Sequence, residues 1–402
     1  MHILLINTYR HGGAGVAARR LQVALQAVGA QADLLTADQV GAKWPFYAER
    51  LSFLPFERDR TVRFSFSLAN FGRDIRKHPL VQAADILHLH WINQGFLSLQ
   101  HIRQLASLGK PIVWTLHDMW AFTGGCHYSG SCDHYQHGCG DCAFLRRPGS
   151  RDLSKIILDR KGALFPENIH FIACSEWLAG IARSSTLLRT YPVEAIPNPI
   201  DTEIFKPLTA LERSAYRRQI GIRENAQVVL FVAMKVSETR KGFSYLQAAL
   251  EKIKQAQPDR PIEILVMGKS DPAVLQALPY PVHALGMLSN TADLVNAYSA
   301  ADVFVIPSLE DNLPNTVMES LACGTPVAGF QTGGIPEMVG HLSEGYIAPQ
   351  RNADELAKGI LYLIDNQQDK SKNARQKALA AYSNPLIAAR YITLYQQLLA
   401  SR

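Results

Sequence analysis

The chain reads as an α/β protein built from two Rossmann-like domains. Three observations predict this. Its 402 residues exceed one ordinary domain. Short apolar runs rich in β-branched residues alternate with helix-period segments along most of its length. Glycines, acids, amides and histidines recur directly after those runs, at the strand ends where open α/β sheets bind ligands. An apolar content of 47% supports full cores, and charged residues at 19% argue against disorder. The net charge of +6 suits anionic substrates or an anionic membrane surface without requiring either. Nucleic-acid motifs are absent. MHILLINTYR runs as a strand into a glycine loop rather than as a signal peptide, and no apolar run reaches the length of a membrane span. The chain is therefore expected in the cytoplasm, with peripheral contact at the inner membrane.

In the first half, ILLIN (Ile3 to Asn7) is a buried strand. Gly12, Gly13 and Gly15 follow it, and then the helix pattern VAARRLQVALQAVG. Gly13 and Gly15 let a ligand approach the backbone at the helix start. The spacing is not the full dinucleotide fingerprint, which leaves a nicotinamide cofactor as a runner-up. ADLLTA is the second strand. Residues 43–78 break the pattern: Trp44, Phe46, Tyr47, Phe53, Phe56, Phe64, Phe66 and Phe71 are interleaved with Arg50, Arg58, Arg60, Arg63, Arg73, Arg76 and Lys77. Such a stretch fits a bilayer or a cover over a lipid-linked molecule. It equally fits an insertion whose aromatics pack on the domain. DILHLHWIN ends a strand with His90, Trp91 and Asn93, and PIVWTLHDMW ends another with His117 and Asp118. Histidines at two strand ends suggest one crevice, against the alternative that each is structural. Asp118 either orients His117 or caps the next turn.

Cys126, Cys132, Cys139 and Cys142 then fall within seventeen residues, and the last pair is a C-x-x-C. In a large chain this suggests a structural zinc held by four thiolates, with disulfides and free thiols as alternatives. HFIACSEWL is a late strand and helix start, and VEAIPNPIDTEIFKP is a proline-rich linker. QVVLFVAM opens a second series of strands and helices. Arg240 and Lys241 stand between its strand end and the next helix.

The most informative stretch is ADVFVIPSLEDNLPNTVMESLACGTPVAGF, Ala301 to Phe330. A buried strand leads into a loop with Glu310, Asp311 and Asn312. A helix then places Asn312, Asn315, Thr316 and Glu319 in one polar stripe. Its exposed N–H groups favour an anion.

This segment resembles the acid–seven residues–acid signature of the retaining glycosyltransferases of family 4, which have the GT-B fold. The flanks SL, NLP, ES-ACGTPV and GGIPEMV match as well. Asp311 stands where the family has a Glu. The resemblance implies two Rossmann-like domains facing across a cleft: residues 1–198 on the acceptor side, with the cysteine loop 124–147; residues 199–383 for the nucleotide sugar; and a C-terminal helix, 384–402, returning to the first domain. Asp311 would contact donor sugar hydroxyls and Glu319 the nucleotide ribose. Asn312, Leu313, Asn315 and Thr316 would meet the diphosphate, and Gly286 the base. Gly13 and Gly15 would approach the donor phosphates. Lys241-Gly242 matches the family's phosphate motif. Val236 occupies its arginine position, so Arg240 or Lys235 is expected to substitute, Arg240 being preferred. His117 is carried over as the catalytic histidine, with His90, Trp91, Asn93 and Asp118 on the acceptor side. The cysteine loop after TLHDMW resembles the colanic-acid and exopolysaccharide branch.

The expected activity is transfer of a sugar, with retention, from a nucleotide-diphosphate sugar to a glycan or lipid-linked glycan in bacterial surface polysaccharide assembly. No catalytic metal is expected, because cations hold the diphosphate. The alternatives are a sugar-nucleotide-binding protein without catalysis, and another two-domain enzyme such as a nucleotide-sugar epimerase or a glycogen-type phosphorylase.

Overall fold

The computed structural model describes residues 1–401. The chain forms two compact units. One comprises Met1–Pro199 together with the segment from Ile387 onward, and the other is Ile200–Leu386. The first unit contains β1 (His2–Ile6), β2 (Gln31–Leu35), β3 (Ile86–Leu89), β4 (Ile112–Leu116), β5 (Ile169–Ala173) and β6 (Val193–Ala195). The second contains β7 (Gln227–Lys235), β8 (Ile262–Lys269), β9 (Val282–Gly286), β10 (Val303–Ile306), β11 (Val327–Phe330) and β12 (Gly345–Ala348). The strand orders are β2-β1-β3-β4-β5-β6 and β12-β11-β10-β7-β8-β9, and every strand pairing is parallel.

Central strands such as ILLI and VFVI are apolar on both faces because helices cover both sides of each sheet. In the first unit, Leu4 and Ile6 enter one core layer with Leu87, Leu89, Trp114 and Leu116. The intervening Ile3 and Leu5 enter the opposite layer with Ile86, Val113 and Ile172. The C-terminal helix, Asn384–Ala400, completes that second layer with Ile387, Tyr391, Leu394 and Tyr395. Its Arg390 also donates to the Ala195 carbonyl at 2.6 Å. In the second unit, Arg375 closes the start of the unit against its end. Its guanidinium donates to the carbonyls of Phe205, Ala322 and Thr202 at 2.7–2.9 Å.

The sequence reading treats VEA as linker and proposes no strand at GYIA, yet these segments form β6 and β12. Both are edge strands of three or four residues, too short to show a period. Within 43–78, a helix spans Lys43–Phe53. Glu49 ties it to the following loop: its buried carboxylate accepts the backbone N–H groups of Leu68, Ala69, Asn70 and Phe71. Among the described residues, no helix is long and apolar enough to cross a membrane.

The C-terminal helix also carries a hydroxyl that meets His88 from outside the sheet. Tyr395 OH lies 2.7 Å from His88 Nδ1 in the core. Tyr395→Phe is expected to leave that nitrogen buried and unpaired and to lower stability by about 1–3 kcal/mol. The urea unfolding midpoint measures this.

Candidate active site

The carboxyl ends of the first sheet place one polar residue after each of five strands: Asn7 after β1, His90 after β3, His117 after β4, Cys174 after β5 and Asn198 near the end of β6. Strand neighbours become side-chain neighbours. His90 Nδ1 and His117 Nε2 lie 2.9 Å apart. His117 Nδ1 lies 3.6 Å from Cys174 Sγ, and the Cys174 thiol is 3.4 Å from Asn198 Oδ1. The rings stack along the same row, His88 on His90 at 4.4 Å and His90 on His117 at 5.2 Å. Both ring nitrogens of His117 are therefore engaged with protein groups. Among the described residues, His90 Nε2 is buried and has no hydrogen-bond partner, and the same holds for Asn93 Nδ2 and Gln94 Oε1 beside it in the chain. Gln94 takes a left-handed backbone (φ 62°), so the chain turns sharply after the strand.

Proton placement along the row has two self-consistent settings. If the Cys174 thiol donates to an oxygen, His117 Nδ1–H donates to sulfur and His90 Nδ1–H donates to His117. His90 Nε2 is then an acceptor. If the thiol donates to His117, each proton shifts and His90 Nε2 becomes a donor. Burial pulls His88 down to about 3 and His117 to about 4, and it holds His90 well below its ordinary value. All three are neutral near pH 7.

Asp118 anchors the neighbouring layer. Its carboxylate accepts from Trp91 Nε1 at 2.8 Å and the Trp120 backbone N–H at 2.9 Å, and it pairs with His127 Nδ1 at 2.7 Å. Burial pushes its carboxyl up, and His127 with these hydrogen bonds more than offsets it, so the group lies below the ordinary range. Of the two roles left open for Asp118, the turn-capping one matches these contacts. His127 sits on the cysteine loop, and its Nε2 meets Ser67 Oγ at 2.9 Å. Gly13 and Gly15 open the helix Gly12–Ala27. A Cβ at Gly15 would lie 2.5 Å from the Tyr9 carbonyl, whereas one at Gly13 would meet nothing within 4 Å. Gly15 is thus required by packing, and Gly13 keeps the loop open to approach.

The cysteine loop lies over a small core of Phe53, Phe66, Leu68, Leu145 and Ile157. Cys126, Cys139 and Cys142 are half-buried and Cys132 is exposed; all four are free thiols. Gly124 N–H donates to Cys139 Sγ at 3.2 Å. Burial pushes the Cys126 thiol up to about 12 and Cys142 up to about 11. The sulfurs do not form a finished ligand set: among the described residues, no three His, Cys, Asp or Glu side chains are grouped to hold a metal ion. Beneath the loop, Nζ of the fully buried Lys161 donates to the carbonyls of Trp120 and Thr123 and sits 3.7 Å from the centre of the Trp120 ring, and burial pulls this amine down to about 7.

In the second unit the strand–loop–helix segment places its acids at the end of β10. The helix runs Asn315–Ala322 with Pro314 at its N-cap, and Gly324 follows in the left-handed conformation (φ 72°). Asp311 is buried, and its Oδ2 accepts from Lys241 Nζ at 2.7 Å. Arg240 lies 3.8 Å from the same oxygen, donating also to the Glu310 carbonyl and to Glu238. Burial pushes the Asp311 carboxyl up, but Lys241 and Arg240 outweigh it and hold the group below the ordinary range. Glu319 is buried too, and its Oε2 accepts from Tyr298 OH at 2.8 Å. Asn312 and Leu313 are buried, while Asn315 and Thr316 are half-buried at the helix start. Gly242 must be glycine here: its φ is +70°, and a Cβ would fall 1.9 Å from the Pro307 carbonyl. Val236 is buried, so Arg240 is the arginine that reaches the acid. Gly286 closes β9 in the left-handed region, with the exposed Met287 after it.

Sequence reasoning did not single out Tyr298, His127, Cys174 or Asn198 as site residues. Tyr298, His127 and Cys174 each meet a residue it did single out, Asn198 meets Cys174, and only spatial proximity reveals these contacts.

Three buried neutral histidines make stability depend on pH. Each folded value lies below its unfolded value, so the contribution is complete above about pH 6.5 and is lost as pH falls towards the folded values. From pH 7 to pH 5 the unfolded chain takes up protons that the folded chain does not, a loss of about 2 kcal/mol for each ring. Urea midpoints of the first unit at the two pH values measure it, and Asn substitution of His88 is expected to flatten the slope.

Comparison with known proteins agrees with this layout. The model of "Glycosyltransferase Family 4" matches residues 11–204, and that of "Glycosyl transferases group 1" matches 226–366. WcaC of Escherichia coli K12, named as a colanic acid biosynthesis glycosyl transferase, is 25% identical over 338 residues, 80% of this chain and 77% of that one. D-inositol 3-phosphate glycosyltransferase of Segniliparus rotundus is 27% identical over 49% of this chain and 45% of its own. The N-acetylgalactosaminyltransferase of Campylobacter jejuni that is named for N,N'-diacetylbacillosaminyl-diphospho-undecaprenol is 31% identical over 34% and 37%. The chain thus spans about half the length, or less, of most of the first curated relatives it matches. Among solved structures, sucrose-phosphate synthase from Thermosynechococcus elongatus superposes with a TM-score of 0.66 at 20% identity, over 100% of this chain and 99% of that one. Anabaena HepE in complex with UDP superposes with a TM-score of 0.64 at 17% identity, over 99% and 100%. At these identities the superpositions speak to the fold, two Rossmann-like domains. Together with the two family models, they show that this chain belongs to the family 4 glycosyltransferases of GT-B fold.

Proposed function

We propose that the protein transfers a hexose-type sugar, with retention, from a nucleoside-diphosphate sugar to a glycan or lipid-linked glycan during surface polysaccharide assembly. The observation that carries this is the Lys241–Asp311 ion pair at 2.7 Å, with Arg240 beside it, at the end of β10. A diphosphate brought to Lys241 and Arg240 competes with the carboxylate for the ammonium. Asp311 is thereby released to accept from sugar hydroxyls, while the two cations stabilise the departing nucleoside diphosphate. Glu319 accepts from the ribose hydroxyls. In the first unit, His90 Nε2, which has no partner among the described residues, addresses the sugar or its acceptor, and His117, held between His90 and Cys174, sets which proton that nitrogen carries. HepE in complex with UDP supports the donor class, and the Campylobacter relative's named substrate supports a lipid-linked acceptor. WcaC supports the polysaccharide setting.

One panel of variants tests this reading. Glu319→Gln weakens nucleotide-sugar binding at least several-fold by calorimetry, the loss of a charge-assisted bond of about 1.5–3 kcal/mol. Lys241→Ala lowers turnover and weakens binding of the free nucleoside diphosphate. His117→Ala cuts turnover by roughly 10²-fold while donor affinity is kept. Activity persists in EDTA, since side chains hold the diphosphate. Strict dependence on added Mg²⁺, or donor affinity unchanged in Glu319→Gln, counts against the assignment.

For the cysteine loop we keep a structural role, with Cys126, Cys132, Cys139 and Cys142 drawn together around one zinc ion on loading. Burial pulls the Lys161 amine down to about 7, and the negative charge of metal-bound thiolates would favour its protonated form beneath the loop. Protein purified without chelator should carry near one equivalent of zinc, and Cys139→Ser should lose metal and stability together. Metal-free, fully active protein with titratable thiols removes this role.

A further inference from the structure

Residues 43–78 do not pack all their aromatics on the domain. On the helix Lys43–Phe53, Pro45, Ala48, Glu49 and Phe53 face inward. Trp44, Tyr47 and Leu51, at i, i+3 and i+7, form an outward stripe with 68%, 63% and 64% of their surface exposed. Phe64 is equally exposed at 64%, and Leu54, Phe56 and Phe71 are exposed as well. Two contacts tie the loop aromatics Phe71 and Phe64 to this helix. The Phe71 ring centre is 6.2 Å from that of Trp44. Arg50 crosses 4.1 Å above Phe64. An aromatic cluster of this extent in contact with water signals an interaction surface.

Its charge selects the partner. The segment holds eight lysines and arginines against four acids. None of the four acids is left to repel an anion. Glu49 is buried on four amides, and Glu57, Asp59 and Asp74 are paired with Arg63, Arg58 and Arg76. The cysteine loop adds more cations at the same edge. Arg146 donates its backbone N–H to the Phe56 carbonyl at 2.8 Å, and both Arg146 and Arg147 are exposed. The loop and this segment also share two antiparallel bridges, Glu57 with Leu145 and Phe66 with Cys126, so the cysteine loop is the foundation of the patch.

We infer that this face docks on a membrane surface rich in anionic phospholipid. Trp44, Tyr47, Leu51, Phe64 and Phe71 enter the headgroup region, and the arginines around them meet the lipid phosphates. Indole and phenol rings have an apolar body and a polar tip suited to that depth. Neighbouring cations add attraction that salt screens. Docking does not rest on the proposed transfer activity, and it would hold the first unit where a lipid-linked sugar acceptor resides.

The test is co-sedimentation of the full chain with vesicles of phosphatidylcholine alone, or of phosphatidylcholine and phosphatidylglycerol at about three to one. The chain should pellet with the anionic vesicles, stay in the supernatant with the neutral ones, and be released by roughly 0.5 M salt. The triple variant Trp44→Ser, Tyr47→Ser, Phe64→Ser should bind about tenfold more weakly. Its melting temperature should be unchanged, because all three side chains are exposed. The pair Arg146→Ser, Arg147→Ser should weaken binding to anionic vesicles and leave melting unchanged. Equal recovery in the supernatant with both vesicle types overturns the proposal, as does undiminished binding by the triple variant. A dimer that the triple variant abolishes, in a chain that does not pellet with vesicles, assigns the face to a second copy instead.

Discussion

Every paired strand in both sheets is parallel, and the rest of the structure depends on that constraint. Parallel strands require crossovers, so helices cover both faces and all carboxyl ends emerge along one edge of each sheet. Side chains just beyond the strand ends are then held at strand spacing, close enough for direct hydrogen bonding across neighbouring strands. The row His90, His117, Cys174 and Asn198 is a direct product of this geometry, as is the Lys241–Asp311 pair between the ends of β7 and β10. Residues tens of positions apart in sequence meet because their strands are neighbours in the sheet.

Burial sets the electrostatics of both groups of side chains. The histidine row is fully enclosed and is kept neutral by desolvation, so it transmits hydrogen bonds rather than charge. Asp311 is enclosed as well, yet two cations keep it ionised. One unit therefore presents neutral, proton-shifting groups. The other presents a compensated ion pair that a more highly charged partner can pull apart. The division suits a reaction in which negative charge accumulates on a leaving diphosphate while a hydroxyl must be oriented without added charge.

The cysteine loop and the aromatic segment are also linked to this frame. Glu49 fixes the loop at 68–71, Ser67 meets His127, and His127 pairs with Asp118 at the end of β4. Lys161 holds the carbonyls of Trp120 and Thr123 from below. The exposed aromatic face thus rests on the same residues that shape the strand ends of the first unit.

Local pattern by itself determined the long central strands, the two-unit organisation and the acid-bearing segment around Asp311. Continuous apolar runs such as ILLI and VFVI have few other uses, and proline and glycine mark the ends of the helix after Asp311. It also identified the strand-end residues His90, His117, Arg240 and Lys241. It did not reveal β6 or β12, whose few residues at a sheet edge carry no period. Nor could it choose partners. Asp118 follows His117 in sequence, yet its carboxylate binds Trp91 and His127, while His117 turns to His90 and Cys174. Adjacent residues on an extended chain point to opposite sides, so sequence neighbours are poor guides to side-chain contacts. The tertiary structure also decided which aromatics of 43–78 are core and which are exposed. Phe53 and Phe66 stack at 4.9 Å in the interior, whereas Trp44, Tyr47 and Phe64 face water. Composition is the same for both sets, and only the packing of the cysteine loop against one side of the segment separates them.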